Sequence, residues 1–255
     1  MKKILEGKTI IVTGTARGIG REMAAVFAGY GANVFAHARR QTDEHTARCR
    51  ELESEYSVKV LPVYFDLTDS DEIKNAVKEI RGHKLAIDGL VNNAGVTNNS
   101  LFQMTGMDEV RNQMEANFFG PYLLTQYVSK LMVRGKKGSI VSISSTAALD
   151  GNSGKSAYGA SKAALLAMTL SISEELAASG IRANVICPGV TDTAMLETMP
   201  DYIMDIQKKA TFLGTVGKPL DIANAAAYLL SDYASYITGQ VIRVDGGVTQ
   251  YEKRQ

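Results

Sequence analysis

The sequence predicts an α/β protein built on a single doubly wound parallel sheet with helices on both faces, one domain spanning residues 1–255. Three observations predict it. Apolar runs of roughly four to eight residues alternate with helix-like stretches along the whole chain, as strands buried on both faces require. Glycines cluster directly after the first such run, where a doubly wound sheet turns from strand into helix. The 255 residues, 45% hydrophobic and 22% charged, suffice for one core, and no linker, internal repeat or low-complexity tract divides them.

Residues 9–13, a β-branched run, open the sheet, and the glycine turn leads into a helix over 18–28. A strand at 33–36 and a polar helix over 43–56 follow, the latter's charges forming a solvated face. The third strand, 58–65, ends at Asp66, and the helix over 70–80 begins with acidic residues that complement its N-terminal partial charge. Short strands at 87–91 and 138–143 flank a long helical region over 107–133. A second long helix, 157–178, stops at Gly180, which suits the left-handed position after a helix. A strand at 181–187, a helix over 220–230 and a last strand at 241–244 complete the alternation.

The formal net charge of +1 argues against a strongly basic nucleic-acid-binding surface. No apolar run approaches the roughly 18 residues of a membrane span, and Met1-Lys2-Lys3 is followed by no apolar stretch of a signal peptide. A soluble, cytoplasmic protein is therefore expected, with neither nucleic acid nor membrane as partner. Cys49 and Cys187 sit in no paired motif, which fits a reducing compartment, with Cys187 packing in its strand. His37, His45 and His83 lack metal-ligand spacing and read as surface or loop residues, so no metal is expected.

The loop Thr13-Gly14-Thr15-Ala16-Arg17-Gly18-Ile19-Gly20 has the spacing G-x-x-x-G-x-G between a strand and a helix. Its glycines permit a tight turn and let a dinucleotide pyrophosphate approach the free N–H groups of the helix start. A glycine-rich turn without a ligand is the alternative. An acid at the end of the second strand would select the ribose hydroxyl of NAD; here that strand ends Ala36-His37-Ala38-Arg39-Arg40. Arg39, with Arg17 from the glycine loop, suits the 2′-phosphate of NADP(H), the cofactor this pattern implies. Solvation is the other reading of Arg39 and Arg40.

Tyr158 and Lys162 stand four residues apart on the second long helix and so share a face. Alone this spacing carries little. Ser145, however, lies just past the fifth strand, at the sheet end where ligands bind in this architecture. A hydroxyl, a phenol and an ammonium there suit transfer of a hydride to a carbonyl carbon and of a proton to its oxygen. Tyr158 serves as acid, Lys162 lowers the phenol's pKa, and Ser145 donates a hydrogen bond to the oxygen as charge develops.

The glycine loop, Asn92-Asn93-Ala94-Gly95, Asn117, Ser145, Tyr158-x-x-x-Lys162 and Pro188-Gly189 occur in the order of the short-chain dehydrogenase/reductase family, which the chain resembles over about residues 7–247. The resemblance implies a Rossmann-type fold and a catalytic tetrad of Asn117, Ser145, Tyr158 and Lys162. It implies that the loop residues Gly14 to Gly20 cradle the cofactor, that Asp66 and Leu67 hold adenine, and that Asn93, Ala94 and Gly95 line the ribose side. Tyr158, Lys162, Pro188 and Gly189 would complete the nicotinamide end, with Thr191 and Thr193 at the carboxamide. Asn117 would hold a water linking Lys162 to solvent; plain helix packing is its other reading. Residues 92–104, NNAGVTNNSLFQM, further resemble the bacterial 3-oxoacyl-[acyl-carrier-protein] reductases.

The resemblance thus implies a small carbonyl or alcohol substrate, carrier-bound in the 3-oxoacyl case. Lys136 and Lys137 are then expected as basic residues near the site mouth, whereas Ser179 stands where such reductases often carry a second base. A reductase of a sugar, cyclic or other small ketone is the alternative, and a non-catalytic dinucleotide sensor a further one, although sensors typically lack the tyrosine or lysine present here. Residues such as Met195, Leu196, Met199, Tyr202, Ile203 and Met204 read either as a soft substrate lid or as packing for a short helix. The small and apolar residues of the two long helices imply a homodimer or homotetramer.

Overall fold

The computed structural model describes residues 3–192 and 201–248. Its strands are β1 (Thr9–Val12), β2 (Asn33–Ala38), β3 (Val60–Tyr64), β4 (Gly89–Asn92), β5 (Gly138–Ile143), β6 (Ile181–Pro188) and β7 (Val241–Val244). They form one sheet in the order β3-β2-β1-β4-β5-β6-β7, every pair parallel. The order reverses between β1 and β4, which opens a crevice at their C-terminal ends.

Period-two alternation sorts the strand side chains onto the two faces. Ile10 and Val12 join Met23, Phe27 and Ile222 in one buried cluster, while Ile11 faces the other way with Phe35, Leu124 and Val128. Helices α1 (Gly18–Gly29), α2 (Asp43–Tyr56), α3 (Ser70–Gly82), α4 (Met107–Met114), α5 (Gly120–Gly135), α6 (Ala147–Asp150), α7 (Ser156–Glu175), α8 (Asp201–Lys209) and α9 (Pro219–Leu230) connect the strands. The first cluster lies under α1 and α9, the second under α3 and α5, so both sheet faces are covered.

The expected elements are present, with small shifts at their ends. The first departure is in the long helical region over 107–133. It divides into α4, one turn of π-helix (Glu115–Phe119), and α5. Pro121 explains the restart: its ring is tolerated only in the first turn of a helix, and it sits there in α5. The second is that α7 gives way to a 3₁₀ turn, Ala177–Ser179, before Gly180 takes φ of 71° as the cap. Both cysteines are buried, and no described helix is long and apolar enough to cross a membrane.

Candidate active site

The floor of the crevice is tied together by Thr13, immediately after β1. Its hydroxyl donates to Val91 O (3.1 Å) and accepts from the N–H groups of Asn93 and Ala94 (2.9 Å each). The Asn93 amide returns a bond to Thr13 O at 2.8 Å. Asn93 and Ala94 thereby sit against the glycine loop. The loop has no room for larger residues. A Cβ on Gly14 would lie 2.9 Å from Ala94 Cα, and one on Gly20 would collide with Gly14 O. Gly18 takes φ of 58°, and Arg17 is the extended residue before α1. The N–H groups of the first helical turn have no acceptor four residues back and face outward for an anion. Ala16 and Arg17 are exposed and Ile19 is half-buried.

Thr15 is different. It is buried, and its hydroxyl donates to His37 O at 3.1 Å and pairs with His45 Nε2 at 2.8 Å. The expectation that His37 and His45 are surface or loop residues is therefore wrong. Both are buried, against the glycine loop and the end of β3, and only His83 is exposed. A strand histidine gives no sequence cue to a partner some twenty residues away.

Just past β3, Asp66 accepts from the N–H and hydroxyl of Thr68 at 2.9 and 2.8 Å. Partial burial opposes its ionisation, but these bonds and the charges of Arg39 and Arg40 outweigh it and hold the carboxyl below its ordinary range. Arg39 lies 4.0 Å from Asp66, with a side chain 63% exposed. Arg17 and Arg40 are also exposed. Leu67 is buried where α5 begins, and a Cβ on Gly120 would collide with its carbonyl oxygen.

Ser145, Tyr158 and Lys162 converge at the opposite wall. Ser145 follows β5 by two residues and its hydroxyl stands beside Tyr158, the third residue of α7. Burial pushes the Tyr158 phenol above its usual pKa, and the nearby Ser145 hydroxyl offsets this in part. In this structure the Lys162 ammonium donates to Ile143 O (2.8 Å), so the expected lowering of the phenol by Lys162 is not seen. Burial instead lowers Lys162 itself to about 8. Lys155, unforeseen from sequence, places its ammonium 5.5 Å from the Tyr158 ring centre.

The π turn aims Asn117 at the same place. Its Oδ1 accepts from Val96 N (2.7 Å), and its Nδ2 donates to Val96 O (2.8 Å) and to Ser161 Oγ (2.9 Å). A Cβ on Gly95 would stand 2.9 Å from Asn117 Oδ1 and 3.1 Å from Lys162 Nζ, so these groups meet at one point. Beyond Val96, a cleft of about 300 Å³ is lined by Thr97, Asn98, Glu109, Asn112 and Gln113. Pro188 accepts from Thr146 N at 3.1 Å, Gly189 donates to Val244 O at 3.0 Å, and Thr191 Oγ1 donates to Gly189 O at 3.1 Å. Thr193 lies outside the described residues, as do Met195, Leu196 and Met199 of the expected lid.

This arrangement has known counterparts. The family described as enoyl-(acyl carrier protein) reductase matches residues 14–249. The chain belongs to the short-chain dehydrogenase/reductase family. Among its curated relatives, the 3-oxoacyl-[acyl-carrier-protein] reductase of Thermotoga maritima is 37% identical over 96% of this chain and 98% of its own. The one from Aquifex aeolicus is 36% identical over 96% and 98%. The crystal structure of a 3-oxoacyl-[acyl-carrier protein] reductase from Brucella melitensis superposes with a TM-score of 0.90 at 28% identity, covering 97% of this chain and 93% of that one. A protein from Agrobacterium tumefaciens, provisionally described as a gluconate dehydrogenase, superposes at 0.91 with 27% identity over 96% and 98%. The short-chain dehydrogenase/reductase fold and oxidoreductase class of this chain follow.

Lys136 and Lys137 are misplaced for the role expected of them within one chain. They precede β5, and Ser145 follows it, so the strand's rise of about 3.3 Å per residue separates them by roughly 20 Å. Lys137 instead lies 3.9 Å from Asp232 at the base of the sheet.

Proposed function

We propose that this short-chain dehydrogenase/reductase is a single-domain NADPH-dependent ketone reductase acting on 3-oxoacyl thioesters, including those carried on an acyl-carrier protein. The observation that carries the reaction is the convergence of Ser145, just past β5, with Tyr158 and buried Lys162 on one face of α7. The substrate class rests on the near full-length likeness to 3-oxoacyl-[acyl-carrier-protein] reductases.

The loop fits a dinucleotide, because its tight turn, which requires glycine at Gly14 and Gly20, presents the N–H groups at the start of α1 to an anion. The N–H groups of residues 16–19 would hold its pyrophosphate, and Arg17 and Arg39 would hold the 2′-phosphate of NADP(H). Asp66 and Leu67 would line adenine, and Asn93 to Gly95 the ribose side. Pro188, Gly189, Thr191 and Thr193 would border the nicotinamide. The bound cofactor supplies the hydride. Tyr158 gives its proton to the carbonyl oxygen, for which its raised pKa keeps it protonated at neutral pH. Ser145 donates a hydrogen bond to that oxygen as it gains charge. Lys162 brings a positive charge close to where phenolate forms, and Asn117 fixes the turn that holds Gly95 over it.

Exposed Met107, Phe119, Tyr122 and Val133 on and beside α4 and α5 support burial in a homodimer or homotetramer. The deciding experiment is NADPH oxidation with acetoacetyl thioesters of coenzyme A and of carrier protein, an enoyl thioester, cyclic ketones and gluconate-type keto acids, repeated with NADH. Turnover of the acetoacetyl thioesters with NADPH is expected. Turnover of the keto acid alone would favour the second reading, supported by the likeness to the Agrobacterium protein.

A further inference from the structure

The geometry points to His37 as a positioning residue for the cofactor, one that decides which backbone N–H groups of the glycine loop face the ligand. This rests on the loop being the dinucleotide site.

Gly14 N–H donates to His37 Nδ1 at 3.1 Å, and Thr15 N–H donates to His37 O at 2.8 Å. The first two donors of the loop are thus drawn back onto β2, leaving those of residues 16–19 for the pyrophosphate. The ring's other nitrogen, Nε2, lies 2.8 Å from Phe65 O, and the ring packs against that of Phe65 with centroids 4.0 Å apart and planes tilted by 38°. An N–H can only donate and a carbonyl can only accept, so Nδ1 is bare and Nε2 carries the proton. One neutral tautomer therefore bridges the pyrophosphate loop and the strand end that leads into Asp66 and Leu67.

His45 locks the second half. The Thr15 hydroxyl has one proton, and His37 O can only accept it, so His45 Nε2 must donate to Thr15. His45 Nδ1 faces the Tyr64 hydroxyl at 3.2 Å, and that hydroxyl also pairs with Thr46 Oγ1 at 2.8 Å. Burial, which lowers His37 to about 4 and lowers His45 as well, keeps both rings neutral at physiological pH. The pair holds the two ends of the dinucleotide cleft in fixed relation without touching the reacting atoms.

Two amide variants separate the two ring functions. The Oδ1 of His37→Asn stands as many bonds from Cβ as Nδ1 does, and the Nε2 of His37→Gln as many as the ring Nε2. NADPH Kd, measured by fluorescence titration, should stay within about threefold of wild type in His37→Asn and rise about tenfold or more in His37→Gln, which leaves the half-buried Gly14 N–H unpaired. The KM for NADPH should follow, with kcat at saturating NADPH within about twofold. Thr15→Val, which removes the hydroxyl joining the His37 carbonyl to the His45 ring, should also weaken NADPH, and it decides the matter if the His37 variants do not fold. The inference is overturned if all variants bind NADPH like wild type. It is equally overturned if the Asn and Gln variants lose affinity alike, in step with lost thermal stability. Wild type that does not bind NADPH would sink the cofactor assignment itself, a result distinct from either.

Discussion

Lys162 is an ammonium held in a nearly dry place, 3% exposed, and its burial should show as a pH-dependent instability that its removal cures. Folding lowers its pKa from the ordinary 10.5 to about 8, a gap corresponding to about 3 kcal/mol at ~1.4 kcal/mol per unit. Between these limits the unfolded chain holds the proton and the folded chain releases it. The unfolded state then binds more protons, so this group's contribution makes stability rise with pH. About 2 kcal/mol of the penalty should disappear between pH 7 and 9.5. The perturbation is Lys162→Met, which keeps the length and removes the charge; titrations that do not feel Lys162 are common to both proteins and cancel. The assay is urea unfolding without added cofactor, at one protein concentration, because assembly would add its own term. Relative to the variant, wild type should gain about 2 kcal/mol over that pH range. Parallel stability curves would contradict this and show that the ammonium is solvated or balanced by a negative charge.

Arg39→Ala should weaken NADPH about tenfold and leave NADH nearly unchanged; the low end of a charge-assisted bond applies because the guanidinium is largely exposed, and parallel titrations with both cofactors check it. Gly20→Ala should abolish NADPH binding in titration while the far-ultraviolet spectrum stays native, since a Cβ there drives into Gly14 O and must reshape the loop. With Tyr158 held above its ordinary pKa, ketone reduction should be level through neutral pH, and alcohol oxidation should climb as pH rises; steady-state rates in both directions test this.

The sheet was legible in the sequence because every central strand is a buried apolar run. Ile10, Ile11 and Val12 announce themselves without knowledge of their neighbours. Ser145, Tyr158 and Lys162 were legible for a related reason: strand end and helix start are fixed by local pattern, and topology brings them together. The π turn around Asn117 was not, since Glu-Ala-Asn-Phe-Phe favours no helix type over another, although Pro121 marked a restart nearby. The roles of His37 and His45 depend on tautomers set by Gly14, Phe65 and Thr15, contacts that only the folded chain creates. Lys136 and Lys137 lie at the far end of β5 from Ser145 within one chain, a separation that adjacency to the strand does not reveal.

The most direct test of the account is reduction of an acetoacetyl thioester with saturating NADPH by wild type and Tyr158→Phe, alongside NADPH titration of each. The account predicts unchanged cofactor binding and a rate lower by roughly 10²- to 10⁴-fold, the contribution of a positioned general acid. A Tyr158→Phe enzyme that reduces the thioester at the wild-type rate would contradict it, because the proton would then have another source.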